Sequence, residues 1–147
     1  MKKFFKSLML ISVCLGLSAT VNAKTFRYAT TGDILGLDPH ANNEGPTNTM
    51  KGNIYGRMLH RKADLSLEPD LATKWEKLDA NTWRFSLRRG VKFHNGNDFN
   101  ADDVLFSYKR QTQEASDMSF ALATIKQINK VDDYTVDLIT KGPDPIL

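Results

Sequence analysis

Apolar and polar residues alternate most cleanly over residues 83–87, where Trp83, Phe85 and Leu87 share one face and Arg84 and Ser86 the other, the two-residue period of a half-buried strand. Shorter strands are predicted over residues 65–68 and 75–78. The polar stretch 79–82 then joins the second of these to the Trp83 strand as a hairpin. Upstream, Phe26, Tyr28 and Thr30 alternate with Arg27 and Ala29, a first strand with one buried face, and Gly32-Asp33 makes a turn. Pro39 forces Asp38 out of helical geometry into extended or turn structure.

Two helices are predicted. Thr47 caps the first, along which Met50, Ile54 and Met58 recur every four residues, with Tyr55 and Leu59 beside them. Gly52 and Gly56 also fall on it, each costing up to ~1 kcal/mol against alanine, so close packing on a neighbour is expected to favour them. The second helix has Asn100 as N-cap, Asp102 and Asp103 at the positive dipole end, and Lys109 and Arg110 near the other end. Ala101, Val104, Leu105 and Tyr108 form one apolar stripe that packs on the sheet. Asn95-Gly96 between strand and helix is a turn dipeptide suited to positive φ. Residues 111–117 read as a polar loop, and residues 125–130 and 134–140 as a closing hairpin around Asp132-Asp133. No internal repeat or low-complexity tract is visible.

The amino terminus changes the meaning of the charge. Lys2, Lys3 and Lys6 precede an uncharged run over residues 7–20 and then Val21-Asn22-Ala23, the pattern of a secretory signal peptide cleaved after Ala23. Its apolar core is shorter than the ~20 residues of a membrane span, so a soluble exported chain beginning at Lys24 is expected. Cleavage removes 3 of the 20 Lys and Arg residues and none of the 17 Asp and Glu, which leaves a formally neutral chain. The pI near 9.0 is then a leader artefact, and the charge argument for nucleic acid or an anionic membrane fails. Cys14 is the single cysteine and lies inside the leader after Val13, which does not fit a lipid-anchor site; the exported chain has no disulfide. Removing 23 of 147 residues leaves 124, enough for one modest domain and too few for two lobes and a hinge. The end of the chain at residues 142–147 reads as truncation.

Candidate chemistry is sparse. Asp102 and Asp103 are adjacent carboxylates, but first-turn helix positions stabilise anions without any catalytic task. His40, His60 and His94 match no metal-ligand spacing, and no Gly-Xaa-Ser-Xaa-Gly elbow, phosphate loop or glycine fingerprint is present. Trp75, Trp83, Phe85 and Phe93 are predicted as core, while Arg88 and Arg89 beside Gly90 read as a solvated turn. No enzyme activity and no cofactor are predicted.

The most specific signal is the order of five segments: Leu37-Asp38-Pro39-His40; Glu68-Pro69-Asp70-Leu71-Ala72; the run from Trp83 through Gly90-Val91-Lys92-Phe93-His94-Asn95-Gly96; Phe99-Asn100-Ala101-Asp102-Asp103-Val104; and Val131-Asp132-Asp133-Tyr134-Thr135-Val136. This series resembles the family 5 extracellular solute-binding proteins, the peptide-binding and nickel-binding receptors of ABC importers. The resemblance implies a two-lobed α/β receptor of the periplasmic binding protein type II class. Residues 24–60 would begin its first lobe, and residues 61–147 would form most of a small inserted α/β domain, cut short at its end. It further implies a monomeric periplasmic protein that captures a di- or oligopeptide, or a related small solute, and delivers it to membrane permease subunits. Nothing here singles nickel out.

In the peptide-binding members a Glu-Gly step after the Leu-Asp-Pro motif lies against the ligand, so the resemblance carries ligand binding to Glu44, Gly45 and Pro46, with Asn43 as neighbour. Gly45 suits that role because a residue without Cβ lets a ligand backbone approach. Pro46 has only a carbonyl to offer. The alternative for this segment is an ordinary loop leading into a helix. A receptor that presents ligand to a membrane sensor, and a truncated product without binding activity, share these features. A 124-residue chain alone is expected to bind peptides weakly or not at all, for want of the second cleft wall.

Overall fold

The computed structural model describes Thr25, Arg27 and residues 29–144. The expected signal peptide lies outside the described residues, as do Phe26 and Tyr28 of the expected first strand. Thr25, Arg27, Ala29 and Thr30 belong to no strand, and no described strand lies beside them to supply the ladder bonds a strand requires.

Helix α1 spans Gly45–Ile54. Strands β1 (Leu59–Arg61) and β2 (Leu67–Pro69) form a short antiparallel pair, with Leu59 opposite Pro69. Strands β3 (Ala72–Lys77) and β4 (Thr82–Leu87), helix α2 (Ala101–Gln111), a 3-10 turn (Ser119–Leu122), and strands β5 (Ile125–Asp132) and β6 (Thr135–Thr140) complete the described fold. The four long strands make one antiparallel sheet in the order β3-β4-β6-β5. The two hairpins are therefore joined through β4 and β6, the central strands.

Phe85 and Leu87 are buried, Trp83 is half-buried on the same face of β4, and Val136 of β6 stands opposite Phe85. These residues, with Ala72, Phe99 and Ala101, form the core, and Val104 and Leu105 of α2 pack onto it. Each fully buried large apolar side chain of this kind contributes ~1.5–3 kcal/mol. Helix α2 begins where the sequence predicts. The Asn100 side chain accepts from the Asp102 amide at 2.8 Å, and Asp103 Oδ2 accepts the Asn100 amide at 2.9 Å, a reciprocal capping box. Gly96 adopts φ +88°, as the Asn-Gly turn requires.

Four local expectations need correction. Thr47 does not cap α1. The N-cap is Glu44, three residues earlier, and Pro46, with its φ already set for a helix, lies in the first turn. The helix then stops at Ile54, because Tyr55 is extended (φ −104°, ψ 135°), so Met58 and Gly56 lie beyond it. Gly56 is nonetheless tightly packed, since a Cβ there would meet the Leu71 side chain at 3.3 Å. The strand expected over residues 65–68 begins only at Leu67, because Leu65 sits in a turn at φ 70°. Phe93 is not core; it is 44% exposed and meets Phe99 edge-on.

Candidate functional site

The Leu37-Asp38-Pro39-His40 motif belongs to an extended strap that runs into α1 and is held by side chains from both helices. Asp38 Oδ1 accepts the His40 amide at 2.9 Å, a local turn that the Asp-Pro pair favours. From α2, Arg110 Nη1 donates to Asp38 Oδ1 at 2.8 Å, and Nη2 bonds Asp38 Oδ2, a two-pronged pairing. Arg110 Nη1 also lies 3.0 Å from His40 Nδ1. A guanidinium only donates, so Nδ1 accepts and His40 is the neutral ring with its proton on Nε2, 3.5 Å from Ser107 Oγ.

The electrostatics agree with that geometry. The hydrogen bond from Arg110, then the His40 amide, hold the Asp38 carboxyl well below the usual carboxylate range. The same bond raises Arg110. Burial, then the nearby charge of Arg110, push His40 below its ordinary 6.5.

Further along the strap, the buried Ser116 hydroxyl donates to the His40 carbonyl at 3.1 Å, and Asp117 Oδ2 accepts the Asn42 amide at 2.9 Å. Asn42 is in the left-handed region at φ 55°. The ammonium of Lys51, a residue only 7% exposed in the last turn of α1, donates to the carbonyls of Ala41 and of Asn42, the latter at 3.0 Å. Asn42 is thus gripped at its N–H by Asp117 and at its carbonyl by Lys51. Before the motif, Thr47 Oγ1 accepts the Leu35 amide at 3.1 Å and the Tyr55 hydroxyl donates to the Leu37 carbonyl at 2.6 Å.

Asn43, Glu44, Gly45 and Pro46 sit together where this strap becomes α1. Asn43 Oδ1 accepts from the Asn48 side-chain amide at 2.8 Å. Glu44 is extended (φ −135°, ψ 159°), its carbonyl takes the Asn48 amide at 2.9 Å, and its buried Oε1 has no hydrogen-bond partner. A Cβ built on Gly45 meets nothing within 4 Å, so the space a ligand backbone would use is open. Pro46 occupies the first helical turn, where its missing N–H costs nothing. The geometry is that of a loop leading into a helix, with the first-turn amides of Gly45 and Thr47 lacking intrahelical acceptors.

A groove of about 520 Å³ opens beside the strap, lined by Pro39, His40, Phe93, Phe106, Ser107 and Arg110 among others. Sequence reasoning found neither this groove nor the roles of Arg110, Ser116, Asp117 and Lys51, whose partners lie up to 76 residues away. Asp102 and Asp103 take the structural roles their position predicts: Asp103 completes the α2 cap, and Asp102 meets the Lys130 ammonium at 2.9 Å. Lys130 is raised by hydrogen bonds to Asp133 and Asp102.

Among solved structures, the chain superposes on an Agrobacterium tumefaciens solute-binding protein, MoaA, in complex with mannopinic acid, with a TM-score of 0.70 and 32% identity over 77% of this chain and 24% of that one. It also superposes on the Helicobacter pylori ABC transporter-associated periplasmic binding protein DppA in complex with the peptide STSA, with a TM-score of 0.65 and 31% identity over 76% and 26% of the two chains. The fold is therefore that of part of a type II periplasmic binding protein. In sequence, the chain is 33% identical to the dipeptide-binding protein of Escherichia coli K12 across 90% of its own length and 29% of that protein's. The family model of the bacterial extracellular solute-binding proteins, family 5 Middle, matches residues 66–147, and the chain belongs to that family. It spans between 24% and 29% of the length of these three relatives.

Proposed function

We propose that the chain forms one wall of the ligand cleft of a periplasmic receptor that captures di- or oligopeptides, or a related small solute, and delivers them to the permease of an ABC importer. The observation that carries this reading is the start of α1, where a strap fastened to both helices presents Asn43–Pro46 with open space at Gly45. Main-chain hydrogen bonds from such a segment would bind peptides with little regard to sequence, much as an added strand does. The names of relatives support the ligand class: one is a dipeptide-binding protein, and another was solved with a bound peptide. In this reading residues 1–23 direct export and are removed, residues 24–60 begin the first lobe, and residues 61–147 belong to the small inserted domain of a monomeric receptor.

Calorimetric titration of the native protein with di-, tri- and tetrapeptides tests the proposal, with Gly45→Val as the diagnostic variant. The valine side chain would fill the open space and should weaken peptide binding about tenfold or more, ~1.4 kcal/mol. Its thermal midpoint should stay near that of the parent. Peptide affinity unchanged by Gly45→Val would overturn the assignment of this segment.

A further inference from the structure

We propose that Arg110 is a positioning residue for the ligand segment 43–46, setting the seat of the strap through one guanidinium edge shared by Asp38 and His40. The inference rests on the reading of residues 43–46 as ligand-contacting.

Arg110 is suited to this task because it joins two strap side chains at once. Its fork fixes the Asp38 carboxylate, and the same Nη1 reaches His40 Nδ1 at 3.0 Å. The next ties along the chain, Ser116 to the His40 carbonyl and Asp117 to the Asn42 amide, come from the turn segment that follows α2. A strap seated by Arg110 therefore presents His40 and Asn42 to Ser116 and Asp117, and the segment 43–46 follows directly. A lysine could supply the charge but not the planar two-pronged geometry.

The arrangement also couples the strap to pH. His40 must be neutral for Nδ1 to accept from Arg110. Its protonation would set one N–H donor against another and one cation against another. The charged groups around His40 are Asp38 on the strap, which favours the protonated ring, Arg110 from α2 and Lys51 from α1, which oppose it, and Asp98 and Asp103 lining the same groove. Above the ordinary 6.5 of a histidine the seat is intact. As pH falls from there through the lowered value in the folded protein, the Arg110 contact to His40 is lost.

Backbone hydrogen exchange at residues 40–42 of the unliganded native protein, corrected for intrinsic rates, tests the seat at about pH 7.5 and about pH 5. Arg110→Gln should lose protection about tenfold at both pH values, with Arg110→Lys restoring only part of it. Wild-type protection should fall on acidification. His40→Asn, which offers a neutral acceptor near the place of Nδ1, should hold its protection at both. Protection unchanged in Arg110→Gln, or a His40→Asn variant with the wild-type pH dependence, would overturn the inference.

Affinity for trialanine, used as the probe, provides the second arm, and Arg110→Gln should weaken it about tenfold. Altered exchange with unaltered trialanine affinity would overturn the positioning role. Trialanine affinity that ignores Gly45→Val, or no trialanine binding at all, would instead overturn the reading of 43–46 as a peptide contact, and the exchange arm would still decide whether Arg110 seats the strap.

Discussion

Arg84 on β4 stands directly opposite Asp137 on β6, and its Nε and Nη2 donate to the two carboxylate oxygens at 2.7 and 2.8 Å. The pair joins the two central strands of the sheet. It is also more shielded than the exposed Lys74–Glu76 bridge, with side chains 34% and 16% exposed against 65% and 47%. Removing one partner of a shielded pair leaves the other without its counter-charge, whereas replacing both with well-packed apolar residues costs little. Arg84→Val alone should therefore lower the urea midpoint more than Arg84→Val combined with Asp137→Val. Additive single effects in a double-mutant cycle would show that the pair is not coupled.

Helix α2 depends on its cap, since Asn100 and Asp103 satisfy two first-turn or cap amides reciprocally. Asn100→Ala should cost about 1 kcal/mol in equilibrium unfolding, and Asn100→Ser considerably less. Equal losses in the two variants would mean that packing rather than capping sets the start of the helix.

Phe85 ties both hairpins to the core, paired with Trp75 on one side and Val136 on the other. Phe85→Ala should destabilise by about 3–5 kcal/mol, through lost burial and the cavity left behind. Phe106→Ala, at a side chain 68% exposed, should fall within about 0.5 kcal/mol of the parent. Denaturant titration compares them directly.

Asp38 gives a second pH window, below that of His40. Its folded value is depressed, so its contribution is fully present above the ordinary 3.8 and is lost as pH falls through the lower folded value. The strap should therefore weaken further in strong acid. Asp38→Asn should be weaker at neutral pH and flatter across that acid range; a variant with the parent's acid profile would contradict the role of the carboxylate.

What the sequence made legible was local. The alternation around Phe85, the Asn100 cap with its first-turn acids, and the Asn95-Gly96 turn each concern residues within a few positions of one another, and each appears where expected. The start of α1 was misplaced because Thr47 is a good capping residue, and its hydroxyl is instead engaged by the Leu35 amide, twelve positions away. Leu65 was read as strand because a leucine at φ 70° is rare.

The candidate site was legible only by resemblance. Asn43 to Pro46 carry no signal in spacing or charge, and the parts that seat them come from distant positions. Arg110 looks like a cation placed against a helix dipole, and Lys51 like one on a solvated helix face. Only the fold brings Arg110 to Asp38, 72 positions earlier, and buries Lys51 against the carbonyls of Ala41 and Asn42.

The proposed receptor function is tested most directly by native mass spectrometry of the protein taken from a periplasmic extract of its source cell, comparing the mass under native and denaturing conditions. A mass difference that fragments as a di- or oligopeptide is the expected result. A ligand-free protein that also fails to take up added peptides would contradict it.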